Sequence, residues 1–218
     1  MNYPTEFAIL KHIVRLYIHR ICGAENIPQD KSLIVAANHT SYMDIFIVPY
    51  LIIKYTDRMF SSLVNSRFFK NPLFRYFLHR YQAIPISVSK DTGTKSRKSS
   101  NKQAFQRANK MAEKKLNIMI FPEGNRSPTG KIQKGRTGVA KLALMLRAPV
   151  IPIGISGAYD ILPKGAIIPK FKRADINIGK PMHFEKYYGK KITKKLLRTI
   201  TDQIMREIAR LSGQRYEA

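Results

Sequence analysis

Apolar residues recur every three or four positions through Phe7–Ile21 (Phe7, Leu10, Ile13, Val14, Tyr17, Ile21), with Lys11, His12, Arg15, His19 and Arg20 filling much of the rest. That period predicts an amphipathic helix with a basic polar face. Ser32–Ala37 is a short apolar run ending in small residues, which predicts a buried strand, followed by a helix from about Ser41 to Tyr55. Ala83–Val88, Leu116–Phe121 and Pro149–Ile155 read as further buried strands, and Asp175–Ile178 as a weaker one. Between them, Gln103–Lys115 and Thr137–Arg147 carry helical patterns. Phe68–Tyr81 mixes aromatics with Arg67, Lys70, Arg75, His79 and Arg80, whereas Lys90–Lys102 is polar, basic and nearly free of apolar residues, the pattern of a flexible loop or mobile lid. Ile192, Leu196, Ile200, Ile204, Ile208 and Leu211 mark a C-terminal amphipathic helix over 192–211. Helices alternating with short buried strands predict a single α/β domain with a mostly parallel or mixed central sheet flanked by helices. The expected division is 1–22 for the basic amphipathic N-terminal helix and 23–218 for the domain that carries the chemistry.

Charge changes this picture. Lys and Arg number 39 against 14 Asp and Glu, a net charge of +25, which calls for a polyanionic partner, either nucleic acid or an anionic membrane surface. The single cysteine, Cys22, excludes an intrachain disulfide and a cysteine-built zinc cluster. The longest apolar run, Ile45–Ile53, contains Pro49 and falls well short of the roughly 18 residues that cross a bilayer. The N-terminal residues do not have the pattern of a signal peptide. A membrane partner would thus be met from one side, with the N-terminal helix lying in the interface. The competing expectation for that helix is an ordinary surface helix packed on the domain.

Two compact polar segments follow predicted strands. In Asn38-His39-Thr40-Ser41-Tyr42-Met43-Asp44 the imidazole and the carboxylate are five residues apart, on different faces of a continuous helix. They meet only if the chain turns after His39. His39 would then serve as a general base, with Asp44 fixing its tautomer. Alternatively, Ser41-x-x-Asp44 is a variant capping box, with Asp44 purely structural. The second segment, Phe121-Pro-Glu-Gly-Asn-Arg-Ser127, puts a carboxylate and a guanidinium at a turn that Gly124 can tighten. Arg126 suits a phosphate and Glu123 a hydroxyl; a polar surface turn with an incidental ion pair is the plainer alternative. Gly135-Arg-Thr-Gly138 precedes a helix but lacks the Lys-Ser/Thr ending of a P-loop, and no serine lies in a nucleophile elbow.

Taken together, these residues resemble the glycerolipid acyltransferase family, whose type member is lysophosphatidate acyltransferase. That family pairs Asn-His-x4-Asp with Phe-Pro-Glu-Gly-Thr-Arg-Ser; here the match is Asn38-His39…Asp44 and Phe121–Ser127. Gly23-Ala-Glu-Asn-Ile-Pro28 and Ala148-Pro-Val-Ile-Pro-Ile-Gly154 fit as well, so the likeness runs from about residue 20 to 190. Two positions depart: Asn125 stands for the usual Thr, and Ile84-Pro-Ile-Ser-Val88 lacks the Arg that ends the second block in many members. Lys90, or another basic residue of the following loop, is the candidate replacement.

The resemblance implies direct transfer from a thioester, acyl-CoA or acyl-acyl carrier protein, to a lysophosphatidate hydroxyl, with neither cofactor nor metal. His39 and Asp44 would be catalytic, and Glu123, Gly124, Asn125, Arg126 and Lys90 would bind the substrate head. Ile45–Ile53 and Phe68–Tyr81 are candidates to line an acyl-chain site, although ordinary core packing accounts for most of them. The missing Arg leaves glycerol-3-phosphate, another lysophospholipid or a lyso-aminolipid open as acceptors. The expected place is the cytoplasmic face of the cell membrane, bound to anionic lipid. A basic nucleic-acid-binding protein is the non-enzymatic alternative, but it leaves both motifs unexplained.

Overall fold

The computed structural model describes residues 5–87 and 94–217. Seven strands form one sheet: β1 (Ile18–Cys22), β2 (Ile34–Ala37), β3 (Phe60–Asn65), β4 (Ile84–Ile86), β5 (Asn117–Ile120), β6 (Val150–Ser156) and β7 (Ala174–Ile178), in the order β1-β7-β6-β2-β5-β3-β4. From β6 to β4 all neighbours are parallel; β7 runs antiparallel to β6, and β1 parallel to β7. The sheet is therefore mixed with a parallel centre, in line with the expected fold class. β2, β5 and β6 are apolar on both faces because helices cover both, so their residues are buried almost without exception.

One face packs α1 (Thr5–Leu16) and α2 (Asp44–Thr56), with Val14, Ile47, Leu51, Ile153 and Ile176 in a common core. The other face packs α4 (Thr94–Glu113), α5 (Gly138–Leu146) and α7 (Lys194–Leu211) through Phe105, Leu142, Ile204 and Ile208. The short helices α3 (Pro72–Arg80) and α6 (Ala158–Ile161) follow β3 and β6. Helix α7 lies so close to β6 that a Cβ on Gly154 would come within 2.3 Å of the Leu211 and Ser212 backbone. Nothing larger than glycine fits there.

Two sequence expectations are corrected. The helix expected over Phe7–Ile21 ends at Leu16, and Ile18–Cys22 turns into edge strand β1. Ala174 N–H bonds the Tyr17 carbonyl at 2.8 Å, and Ile18 buries itself against the core, so strand pairing wins over helical continuation. The loop expected over Lys90–Lys102 is helical from Thr94, as the first turns of α4. Asn101 anchors those turns by accepting from Ser87 N–H at 2.9 Å and donating to the Ser87 carbonyl at 3.1 Å. Helix α2 serves mainly as core, the role expected for most of Ile45–Ile53: Ile47, Val48, Leu51 and Ile52 are buried, while Ile45 is exposed. No helix among the described residues is long and apolar enough to cross a membrane.

Candidate active site

Strands β2 and β5 are neighbours in the parallel centre, so both polar segments leave the sheet at its carboxyl edge, where ligands bind in open α/β sheets. Asn38 fixes the first of them. Its side chain donates to the Ile155 carbonyl and accepts from Ile155 N–H, both at 2.8 Å, extending the β2–β6 pairing by side chain where the backbone turns away. The chain then bends, and α2 begins at Asp44.

This bend brings His39 and Asp44 together. His39 Nδ1 lies 3.0 Å from Asp44 Oδ2, and the same oxygen accepts from Thr40 N–H and Ser41 N–H, both at 2.7 Å. Asp44 is thus not purely structural: one carboxylate oxygen both closes the turn at the head of α2 and holds the imidazole. Ser41 contributes separately, its hydroxyl accepting from Met43 N–H at 3.1 Å and donating to the Leu162 carbonyl at 2.9 Å. Since a carboxylate only accepts, Nδ1 carries the ring proton and Nε2 presents a lone pair. Asp44 is fully buried, whereas the His39 side chain keeps 12% exposure, enough for a substrate to reach it. Phe121 stacks on the ring at 4.0 Å between centroids and 13° between planes, fixing its tilt.

The second segment is tied to the first through backbone. Gly124 takes φ +76°, the left-handed region that glycine enters at no steric cost. Ser127 N–H donates to the His39 carbonyl at 2.8 Å. Glu123 points inward: it is 3% exposed, and its two oxygens accept from His39 N–H at 2.7 Å and Gln133 N–H at 2.9 Å. Burial pushes its carboxyl up to about 7, while the two amide donors pull the other way and the nearby Asp44 adds to the rise. Both Glu123 oxygens are thus committed to backbone, which makes this residue a clamp between the His39 turn and the 131–136 segment.

Arg126 is placed differently. Its guanidinium carbon lies 3.2 Å from the centre of the Tyr42 ring, and its buried Nη1 has no hydrogen-bond partner among the described residues. An aromatic shelf two residues before Asp44 therefore holds a guanidinium beside the His39 turn. Asn125 is exposed at the tip of the same turn. Lys90, the remaining expected site residue, lies outside the described residues. Sequence reasoning missed Phe121 and Tyr42 as supports, although both sit inside the segments it singled out. It also missed the backbone role of Glu123, which no side-chain pattern announces.

The sequence profile of the Acyltransferase family matches residues 19–156, well over half of the chain. The chain belongs to the Acyltransferase family. Among its relatives, the 1-acyl-sn-glycerol-3-phosphate acyltransferase of Cocos nucifera is 31% identical over 128 residues, 58% of this chain and 38% of that protein. The protein of that name from Bacillus subtilis is 22% identical over 195 residues, 89% of this chain and 88% of the relative. The matches to the first three plant relatives span only 38%, 42% and 46% of their length. Among solved structures, the 1-acyl-sn-glycerophosphate (LPA) acyltransferase PlsC from Thermotoga maritima superposes with a TM-score of 0.66 at 22% identity, covering 97% of this chain and 81% of its own. At that identity the likeness is one of fold. In this acyltransferase-family chain, the paired His39 and Asp44 and the Glu123–Arg126 turn sit together at one sheet edge.

Proposed function

We propose that the protein transfers a fatty acyl group from an acyl thioester to the free hydroxyl of lysophosphatidate, forming phosphatidate. The observation that carries this reading is the buried Asp44 carboxylate 3.0 Å from His39 Nδ1, which leaves Nε2 as an oriented base in the turn whose Tyr42 carries the Arg126 guanidinium.

In the reaction, Nε2 removes the acceptor hydroxyl proton as the oxygen attacks the thioester carbonyl. Asp44 stabilises the imidazolium that forms. Collapse of the tetrahedral intermediate breaks the C–S bond, and the imidazolium returns its proton to the departing thiolate, so His39 ends neutral. No serine or cysteine is acylated on the way. A positioned base of this kind contributes about 10²–10⁴-fold.

Arg126, whose guanidinium lies over the Tyr42 ring and whose Nη1 has no partner among the described residues, is the group that takes the acceptor phosphate. Gly124 and Asn125 shape the turn around that phosphate, and Lys90 is the further candidate cation for it. Acyl-CoA and acyl-acyl carrier protein are the candidate donors, the cytoplasmic face of the membrane is the place of action, and the acceptor is taken from lipid.

The test is acyl transfer by the purified protein from palmitoyl-CoA and from palmitoyl-acyl carrier protein to lysophosphatidate, glycerol-3-phosphate, lysophosphatidylethanolamine and a lyso-aminolipid. Selective acylation of lysophosphatidate is expected. Equal or better use of an acceptor without phosphate would remove both the substrate assignment and the role given to Arg126.

A further inference from the structure

Two segments beside the catalytic turn carry large apolar side chains into solvent. The first connects α6 to β7: Ile167 is 91% exposed, Ile168 81% and Phe171 74%. It is held by backbone bonds, with Ala166 N–H on the Pro163 carbonyl at 3.1 Å and Lys170 N–H on the Ile161 carbonyl at 2.8 Å. The second is α3, where Phe74 is 54%, Tyr76 61% and Phe77 45% exposed.

Topology puts the first segment and the beginning of the second on the site's own side. The first segment leaves β6 after Ser156 and returns to Ala174, whose neighbour Asp175 pairs with Ser156, so it rises from the carboxyl edge. The second leaves the carboxyl end of β3 at Asn65 and, because β4 runs parallel to β3, descends until the Gln82 carbonyl accepts from Ser61 Oγ and Tyr81 meets Phe60, so only the first half of α3, with Phe74 and Tyr76, belongs to the carboxyl edge. In the strand order β6-β2-β5-β3, the strands bearing His39 and Glu123 lie between the two that launch these segments. The start of β1 pairs with Ala174, so α1 also ends at this edge, with Leu16 half exposed and Tyr17 against Phe171 at 6.3 Å between ring centres.

Charge selects the occupant. Lys164, Lys170, Lys172 and Arg173 surround the first apolar group, and between Ser156 and Asp175 the one acidic residue is Asp160. No Asp or Glu occurs from Arg58 to Lys90, the stretch that contains α3. Apolar tips ringed by cations, set on both sides of a site rather than in one groove, match a flat anionic surface with an apolar interior.

We infer that the carboxyl edge of the sheet docks on an anionic phospholipid bilayer through two apolar and basic segments, the 163–173 connection and the first half of α3, which straddle His39. The proposal rests on the reading of a lipid acceptor given above and specifies how that acceptor is reached. The Leu162 carbonyl, at the root of the first segment, accepts from Ser41 Oγ at 2.9 Å and from Tyr42 N–H at 3.0 Å. The lipid-facing loop and the catalytic turn are therefore one rigid piece, and docking brings His39 to the headgroup layer.

The chain contains no tryptophan, so a single introduced Trp reports its own surroundings. Ile168→Trp and Tyr76→Trp are compared with Lys31→Trp, on the exposed turn that leads into the opposite end of β2. Each is mixed with vesicles of phosphatidylglycerol and phosphatidylcholine, or of phosphatidylcholine alone, with and without brominated acyl chains.

The expected result is a blue shift and bromine quenching for Ile168→Trp and Tyr76→Trp on the anionic vesicles, with Lys31→Trp unchanged. In addition, Ile167→Asp combined with Ile168→Asp lowers anionic-vesicle partitioning roughly tenfold or more. Vesicle binding without quenching at either position, quenching at Lys31→Trp, or no vesicle binding overturns the proposal.

Acyl transfer is measured in parallel on detergent-dispersed lysophosphatidate. Activity there without quenching sinks the docking face alone. Quenching without activity on any acceptor leaves the docking face and removes the function proposed above.

Discussion

Replacing Asp44 by asparagine separates the chemistry of the site from its architecture. Oδ2 accepts from His39 Nδ1, Thr40 N–H and Ser41 N–H, whereas the buried Oδ1 has no partner among the described residues. The two backbone donors require an oxygen at the Oδ2 position, so the substituted side chain places its carbonyl there and its amide nitrogen at the Oδ1 position. The turn is preserved, the His39 tautomer is still set, and one buried charge is gone. Its attraction to the imidazolium is lost with it. With the charges about 4 Å apart and an effective dielectric of about 20, that attraction is about 4 kcal/mol. A loss of that size lowers the rate about 10³-fold. The expected outcome for Asp44→Asn is therefore kcat down about 10³, KM for lysophosphatidate within about threefold, and a melting temperature within a few degrees of wild type. Initial rates of thiol release from palmitoyl-CoA, with a thermal melt by circular dichroism, check all three. A folded variant with kcat within threefold of wild type would refute an electrostatic role for Asp44. A collapse in melting temperature would show instead that the carboxylate is there for the turn.

Arg126→Ala removes the unpaired Nη1 and exposes the Tyr42 ring; losing one charge-assisted contact of about 1.5–3 kcal/mol raises KM for lysophosphatidate about 10–100-fold. Steady-state kinetics with varied acceptor read this directly, and an unchanged KM sinks the assignment. Glu123, held at about 7 by burial against an ordinary carboxylate value of 4.5, gives a pH signature. Its folded-state value is the higher one, so the folded protein binds more protons between the two and loses stability as pH rises from about 4.5 to about 7, by up to about 3 kcal/mol. Glu123→Gln removes that titration but turns an amide donor toward one of the two backbone N–H groups. Urea unfolding across this range should therefore show a flatter pH slope than wild type together with lower stability at pH 5. Parallel slopes for the two proteins contradict the burial argument.

The parallel centre of the sheet is legible in the sequence because β2, β5 and β6 are continuous apolar runs closed by turn residues, a pattern few other elements produce. β3 is not legible. Its Ser61 and Ser62 read as polar, yet both are buried, Ser61 donating its hydroxyl to the Gln82 carbonyl. β1 is masked because Tyr17-Ile18-His19-Arg20-Ile21 continues the helical period of α1, and only pairing with β7, some 150 residues distant, makes it a strand. The first turns of α4 are hidden for the opposite reason: Thr94–Lys102 carries no apolar residue to show a period, and an Asn101–Ser87 bond pair ties the helix to the end of β4.

At the site, the His39–Asp44 partnership follows from spacing and a turn. The inward aim of Glu123 does not. Whether a carboxylate faces substrate or backbone depends on which amides the fold leaves unpaired beside it, here those of His39 and Gln133.

The central claim is that His39 is the base for acyl transfer to lysophosphatidate, and His39→Ala tests it most directly. The variant is compared with wild type in transfer from palmitoyl-CoA, with circular dichroism confirming the fold of both. Wild type is expected to form phosphatidate, and folded His39→Ala to be slower by about 10²–10⁴-fold with little change in KM. Equal rates in the two proteins would contradict the claim.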